Sequence, residues 1–223
     1  MSATVMLHTG EHGAGPAVVR PGHASRESQP VLRFAPDESI YAQGDTAGSM
    51  YRLVSGVVRC CKFQPDGRRH INAFCKPGDV FGFELAGEHL LSAEAVTACA
   101  VVRMRCQGME KDPAAAIQLY GHAMRSLARA QAHSQLLGRS SAGQRLAAFL
   151  LEMLPGTSED VETLPMARHD IADYLGLTIE TISRTMGQLE KEGLLELVTA
   201  RRIRIRDRQG LAALCGCEEP LDV

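Results

Sequence analysis

Short alternating runs of apolar and polar residues occupy the chain from about Val31 to Arg105. The stretch Ser49 to Lys62 (SMYRLVSGVVRCCK) shows the alternation best, and alternation is typical of strands with one buried face. Turn signals rich in Gly, Pro and Asp separate the runs. They are Gly44-Asp45, Gln64-Pro65-Asp66-Gly67 and Lys76-Pro77-Gly78-Asp79. Short strands with regularly spaced turns predict an antiparallel sandwich or closed roll.

A helical period replaces the alternation at Asp112-Pro113, where Pro suits the first turn of a helix. The helix then carries a stripe of residues whose spacing is close to a heptad repeat. They are Ile117, Tyr120, Met124, Leu127, Gln131 and Ser134. The stripe could cover the roll, or it could pair with a second copy of the helix. A helix of ~25 residues is nearly 40 Å long, which exceeds a small roll. We therefore favour a dimerisation seam.

These changes of pattern divide the chain into four parts. Residues 1–30 are rich in Gly, Pro, Ser and His without a hydrophobic period, which predicts a flexible tail. Residues 31–110 form the β-roll, 111–138 the dimerisation helix, and 139–223 a C-terminal domain that begins with a helix over Ser140–Leu154. The expected class is α+β.

The C-terminal part contains two short helical patterns joined by a glycine. Arg168 to Leu175 is the first, Gly176-Leu177 is the turn, and Thr178 is a good N-cap for the second. Apolar residues group on one side of the second helix, and polar residues group on the other. The apolar group is Ile182, Met186 and Leu189, and the polar group is Glu180, Ser183, Arg184, Gly187 and Lys191. Ala172 and Gly176 are four residues apart and Ile182 follows six residues later, and this spacing predicts a helix-turn-helix.

The polar group has the chemistry to read base pairs. An Arg fork fits the two major-groove acceptors of guanine, Glu accepts from the cytosine amine, and Ser can bond either way. Farther on, Arg201, Arg202, Arg204, Arg206 and Arg208 against Asp207 give a local charge of 5 − 1 = +4. We call this Arg-rich segment, residues 201–208, the wing, and it could contact phosphates. These charges could also be a solvated face, but the turn, the grouping and the wing together favour DNA binding.

Composition restricts where that contact can lie. The formal balance is 24 − 26 = −2, so any nucleic-acid contact must come from local patches. No apolar run approaches the ~18 residues of a membrane span, and the first residues do not resemble a secretory signal. The seven Cys are therefore expected to be reduced thiols of a cytoplasmic protein rather than a disulfide frame, although Cys215-Gly-Cys217 could hold a metal or form a disulfide.

The segment ARHDIADYLGLTIETISRTMGQLEKEGLLE closely resembles the winged helix-turn-helix of the CRP/FNR superfamily, and IETISR resembles its FixK-like branch. Leu53 to Gly56 (LVSG) and Pro77 to Glu84 (PGDVFGFE) are similar to turns of that family's sensor domain. The resemblance covers about residues 31–210. It implies a homodimer with a β-roll sensor domain, a long dimerisation helix and a DNA-binding domain.

The same resemblance assigns residues to DNA. Glu180, Ser183 and Arg184 match the family's base-reading positions, and FixK-like members read an inverted repeat of a TTGAT-type half-site. The predicted contacts to the DNA backbone are Arg168, His169, Thr178, Thr181 and Arg201.

Two departures from the family's patterns concern cofactors. Members that bind cyclic nucleotides place an Arg before a Ser-Ala pair, whereas here Leu91 precedes Ser92-Ala93, so a cyclic phosphate would lack its counter-charge. Oxygen-sensing members hold an iron–sulfur cluster with N-terminal Cys, and here no Cys precedes Cys60. We expect no cofactor.

The sequence therefore predicts a homodimeric activator that binds double-stranded DNA and RNA polymerase, without enzymatic activity. The alternative is a ligand-gated regulator with an unidentified small molecule in the roll. A metal-dependent roll enzyme would need a His-x-His group, but His70 and His89 stand alone.

Overall fold

The computed structural model describes residues 30–84, 87–105, 113–139, 141–157 and 160–216. Residues 1–29 of the predicted tail, together with Ser140, Cys106 and Cys217, lie outside the described residues. The strands are β1 (Val31–Phe34), β2 (Ser39–Tyr41), β3 (Ser49–Ser55), β4 (Val58–Phe63), β5 (Arg69–Cys75), β6 (Val80–Phe81), β7 (Ser92–Ala95), β8 (Cys99–Arg105), β9 (Glu162–Thr163), β10 (Leu195–Leu197) and β11 (Arg202–Ile205). The helices are α1 (Pro113–Leu137), α2 (Ala142–Met153), α3 (Arg168–Leu175), α4 (Ile179–Lys191) and α5 (Arg208–Cys215).

The first eight strands form two antiparallel sheets that enclose an apolar interior. Their orders are β1-β8-β3-β6 and β2-β7-β4-β5. Leu53, Val58 and Val101 lie fully buried between the sheets. The predicted turn at Gln64–Gly67 closes the β4–β5 hairpin, with the Gly67 N–H donating to the Gln64 carbonyl at 2.9 Å. The predicted α+β class with an antiparallel roll is confirmed.

Helix α1 has one buried face and one exposed face. On its inner face, His133 and Leu136 are buried, and Arg129 Nη1 lies 2.6 Å from Asp79 Oδ1 at the edge of the roll. Its outer face carries the predicted stripe. The helix therefore covers the roll and still exposes an apolar surface.

The C-terminal helices and the sheet β10-β11-β9 share one core with part of the roll. Phe149 and Leu150 of α2 pack in the same cluster as Ile71 and Phe74 of β5. The predicted start of α2 at Ser140 was too early, because Ser141 is its N-cap and forms a capping box with Gln144. Strand β9 was also missed, since two residues carry no readable alternation.

Within the residues that the structure describes, none of the helices has both the length and the apolar character needed to cross a bilayer.

Candidate nucleic-acid interface

A sharp turn between α3 and α4 sets the direction of the second helix. Gly176 has φ +63°, the left-handed conformation that Gly adopts without steric cost. Its N–H bonds to the Ala172 carbonyl, which closes α3. The Thr178 hydroxyl accepts from the Thr181 N–H at 3.2 Å and starts α4. The predicted turn and N-cap are both present.

Helix α4 buries its apolar side and leaves its polar side open. Ile182, Met186 and Leu189 are buried in the domain core. On the other side Glu180 and Arg184 are exposed and Ser183 is half-buried. The three predicted base-reading residues therefore lie on one accessible face of one helix.

Local hydrogen bonds favour the ionised form of the Glu180 carboxylate. Its own backbone N–H and the Thr178 hydroxyl donate to it, and these hydrogen bonds keep the pKa of Glu180 below its usual value. An ionised carboxylate only accepts hydrogen bonds. Glu180 can thus pair with an amine donor such as that of cytosine, and it rejects acceptor groups.

Ser183 contacts one of the residues predicted to bind the DNA backbone. Arg168 Nη1, from the first turn of α3, donates to Ser183 Oγ at 3.1 Å. The bond occupies the hydroxyl oxygen and leaves its proton available to donate outward. The structure therefore brings Arg168 beside the polar face of α4, where it hydrogen-bonds to a residue predicted to read bases.

The other predicted backbone contacts surround this face. His169 is exposed at the start of α3, and its Nε2 lies 3.2 Å from Asp170 Oδ1. Thr178 and Thr181 adjoin each other at the start of α4, with 3.1 Å between their hydroxyl oxygens. Arg201 is exposed in the turn between β10 and β11. All four lie at the ends of the two helices or on the wing.

The wing carries less available positive charge than the sequence suggested. Glu196 Oε2 lies 2.7 Å from Arg204 Nη1 and 2.5 Å from Arg206 Nη2. Arg208 donates to the carbonyls of Leu154 and Gly156 and so has a structural role. The +4 estimate omitted Glu196, which comes opposite Arg204 only when β10 pairs with β11.

The predicted dimerisation stripe is open to solvent in this single chain. Ile117 and Tyr120 are 72% and 67% exposed, and Met124 and Leu127 are 45% and 50% exposed. Gln131 and Ser134 continue the exposed face toward the end of α1. A row of large apolar side chains in water is costly, which favours a covering partner.

A cavity of about 500 Å³ lies between the roll, α1 and the C-terminal domain. Its lining includes Glu84 and Leu91 on the roll side and Ser126 and His133 on α1. Glu84 Oε1 accepts from the Leu90 N–H at 3.1 Å, so this carboxylate pairs locally. Leu91 contributes an apolar side chain to this lining, and Arg129 of the same lining pairs with Asp79. In the described parts of the chain, no group of three or more His, Cys, Asp or Glu could hold a metal ion.

Sequence reasoning missed the carboxylate partners of the arginines. Asp170 is buried at the boundary between α3 and the roll, where Arg59 and Arg69 meet it. Nothing local marks it, because an acidic residue in the first turn of a helix is ordinary. Only a partner about a hundred residues away along the chain explains its burial.

Comparison with known proteins gives family matches to both halves of the chain. A model of the cyclic nucleotide-binding domain matches residues 31–111, and a model of the Crp-like helix-turn-helix domain matches residues 144–214. All of α1 lies between the two matched segments.

Similar proteins match along most of the chain. The nitrogen fixation regulation protein FixK of Azorhizobium caulinodans is 44% identical over 191 residues, covering 81% of this chain and 77% of that protein. The transcriptional activatory protein AadR of Rhodopseudomonas palustris is 39% identical, covering 82% and 80%. The structure of FixK2 from Bradyrhizobium japonicum superposes with a TM-score of 0.76 at 42% identity, covering 83% of this chain and 96% of that one.

Proposed function

This chain belongs to the CRP/FNR family of transcription regulators with a helix-turn-helix DNA-binding domain, and from that premise we propose a specific activity. It binds a palindromic TTGAT-type site as a homodimer in the cytoplasm and activates transcription. It does so without cAMP or an iron–sulfur cluster.

The open polar face of α4 carries this proposal. Arg184 is assigned to the guanine of the half-site, Glu180 to the cytosine on the other strand, and Ser183 to a neighbouring thymine. The exposure of Glu180 and Arg184 supports these assignments, and so does the lowered pKa of Glu180. Arg168, His169, Thr178, Thr181 and Arg201 are assigned to phosphates, which position the helix without reading sequence.

Dimer formation is assigned to the outer face of α1. The stripe from Ile117 to Ser134 is accessible along its length, and its four apolar members would be buried by a second copy. A twofold axis along the paired helices would set the two reading faces ~34 Å apart, in successive major grooves. That geometry matches an inverted repeat.

Independence from cofactors is supported by the roll. Leu91 precedes Ser92-Ala93 where the cyclic-nucleotide-binding members have an Arg, Arg129 in the cavity lining already pairs with Asp79, and Glu84 accepts from the Leu90 backbone. Cys60, Cys61, Cys75 and Cys99 are free thiols buried in strands, and among these four the sulfurs of Cys60 and Cys75 are in contact, at 3.9 Å. Two buried thiols are a poor ligand set for a cluster. As an activator the protein must also contact RNA polymerase.

The test is selection of bound DNA from a random duplex pool by purified protein, without added ligand. We expect enrichment of inverted repeats of a TTGAT-type half-site. A pool that stays random, or that enriches an unrelated motif, would refute the proposal.

The cavity beside Glu84 supports a second candidate, a regulator gated by a small molecule in the roll. Its volume of about 500 Å³ is sufficient for a small ligand. Under this alternative, DNA selection succeeds only when a small-molecule cell extract is added. Calorimetry with cyclic nucleotides then identifies or excludes that ligand class.

A further inference from the structure

A network of ion pairs joins the β-roll to the first helix of the helix-turn-helix. Its centre is Asp170 of α3, which is 2% exposed. Asp170 Oδ1 lies 2.5 Å from Arg69 Nη2 and 3.4 Å from Arg59 Nη1. Both arginines belong to the roll, on strands β5 and β4. A buried carboxylate is thus neutralised by the other domain.

Two carboxylates of the roll also hold Arg59 in position. Arg59 Nε lies 2.8 Å from Glu94 Oε2, and Arg59 Nη2 lies 3.0 Å from Asp37 Oδ1. Asp37 has φ +63°, a conformation that Asp tolerates better than most residues. The guanidinium fork is therefore fixed on two sides, and its remaining side points to Asp170.

Arg69 contacts two carboxylates of α3. Its Nη2 atom lies 2.8 Å from Asp173 Oδ2 in addition to its contact with Asp170. The two carboxylates are three residues apart and share one face of the helix. Contact at two points along a helix fixes its rotation as well as its position.

Apolar contacts beside the network bring the domains together but define their orientation less sharply. Phe74 of β5 packs against Tyr174 of α3 with 5.2 Å between ring centroids. Hydrophobic contact is not directional, so such an interface can slide. Charge-assisted hydrogen bonds from a planar guanidinium are directional. The ion pairs therefore select one orientation from those that the apolar contact permits.

In this orientation the reading face stays accessible. Asp170 and Asp173 of α3 face the roll, whereas Glu180 and Arg184 of α4 are exposed. The turn at Gly176 connects the two helices directly, so fixing α3 also fixes α4. Since α1 packs on the same roll, the network sets the angle between the dimerisation helix and the reading helix.

We propose that Arg59 and Arg69 are positioning residues for DNA recognition, which act through Asp170 to hold the reading helix at the angle required by two half-sites. The inference rests on the proposed binding of a palindrome by a dimer. A protein with this orientation fixed in advance binds both half-sites without first reorienting its domains. Binding to a single half-site does not depend on the angle between α1 and α4.

The test compares Arg69→Gln with wild type on three DNA sets: a single half-site, the palindrome, and palindromes with one base pair added or removed at the centre. We expect roughly tenfold weaker binding to the palindrome, from a lower population of the competent orientation. Half-site affinity should be unchanged, and the preference for one spacing should flatten. Arg69→Lys should recover part of the preference.

Arg68→Gln is the matched control, because Arg68 is in the same hairpin, is 83% exposed and pairs with Asp66. Asp173→Asn, at the more exposed edge of the network, replaces Arg69→Gln should that variant not fold. An unchanged spacing preference would overturn the proposal. Tighter binding of Arg69→Gln to the palindrome would also overturn it, since the network would then hold the C-terminal domain in an orientation that disfavours binding.

A measurement without DNA separates this inference from the proposed function. Hydrogen exchange of the α3 amides should accelerate in Arg69→Gln, while that of the α2 amides stays as in wild type. Equal exchange in α3 would refute the positioning role even if no preferred DNA is found. Failure of wild type to prefer the palindrome, with α3 exchange accelerated as expected, would refute the proposed function instead.

Discussion

His133 of α1 stacks on Tyr174 of α3 with ring centroids 4.1 Å apart and ring planes 10° from parallel. His133 Nε2 also lies 2.8 Å from the Tyr174 carbonyl oxygen, to which it donates as a neutral ring. The helix assigned to dimerisation is therefore tied directly to the helix-turn-helix. The contact joins the two parts of the molecule that must cooperate on a palindrome.

Stability should decrease in mild acid because of His133. Burial lowers the pKa of His133, while its bond to Tyr174 acts in the opposite direction. Its ordinary pKa is about 6.5, so below this the unfolded chain takes up a proton that the folded chain resists. The contribution of neutral His133 to the free energy of unfolding is complete above that pH and is lost as the pH falls toward the lower pKa of the folded state.

Denaturant unfolding between about pH 7 and 5 measures this effect. The free energy of unfolding should depend less steeply on pH in His133→Gln than in wild type. The more exposed His122→Gln should change it less; equal slopes for wild type and His133→Gln would contradict this account.

Arg184→Ala should reduce both affinity and discrimination. Loss of a bidentate contact to guanine costs on the order of 1–3 kcal/mol and relaxes preference at one base pair. Binding titrations on the selected site and its single-base variants measure both effects. Lys191→Ala, at the far end of α4, is the control and should leave discrimination intact. Equal losses on specific and random DNA would rule out the base-reading role.

Arg201→Ala should weaken binding to all DNA sequences alike, because a phosphate contact carries no information about the bases. The slope of log affinity against log salt should fall by about 1. Arg206→Ala is the matched control on the same wing, and since Arg206 already pairs with Glu196 its effect should be smaller. A base-specific effect of Arg201→Ala would exclude a purely phosphate contact.

Leu127→Asp should disrupt the proposed dimer, because a carboxylate cannot be buried in an apolar seam without a partner. Sedimentation velocity should show monomers, and affinity for the palindrome should fall toward that for one half-site. Gln118→Asp lies nearly opposite the stripe on the same helix and should remain dimeric. A dimeric Leu127→Asp protein would move the interface elsewhere.

Gly176→Ala should destabilise the C-terminal domain by roughly 1 kcal/mol through backbone strain. The added Cβ would meet its nearest neighbour, Leu137 Cδ2, at 3.8 Å, so no clash contributes. Gly187→Ala is the contrasting variant, in mid-helix with no atom within 4 Å. It should stabilise by up to about 1 kcal/mol in the same unfolding experiment. Similar destabilisation of both would argue against conformational strain as the cause.

Much of this fold could be predicted because its signals are local. The turn at Gln64–Gly67, the left-handed Gly176 and the cap at Thr178 each depend on residues a few positions apart. Helix α4 could be read in the same way. Its helical period alone places Ile182 and Met186 on one face and Glu180 and Arg184 on the other. The exposed stripe on α1 was also readable in this way, and its role in dimerisation stays a prediction.

What the sequence alone did not determine is the pairing of charges across long separations. Glu196 neutralises part of the wing only because two strands pair, and the arginines of the roll meet Asp170 only because the domains dock. Arg59 and Asp170 are 111 residues apart, and no periodicity links them. Local patterns specify helices, turns and exposed faces, because those depend on neighbouring residues. The orientation of the reading helix depends on contacts between elements, and only the tertiary structure decides which elements meet.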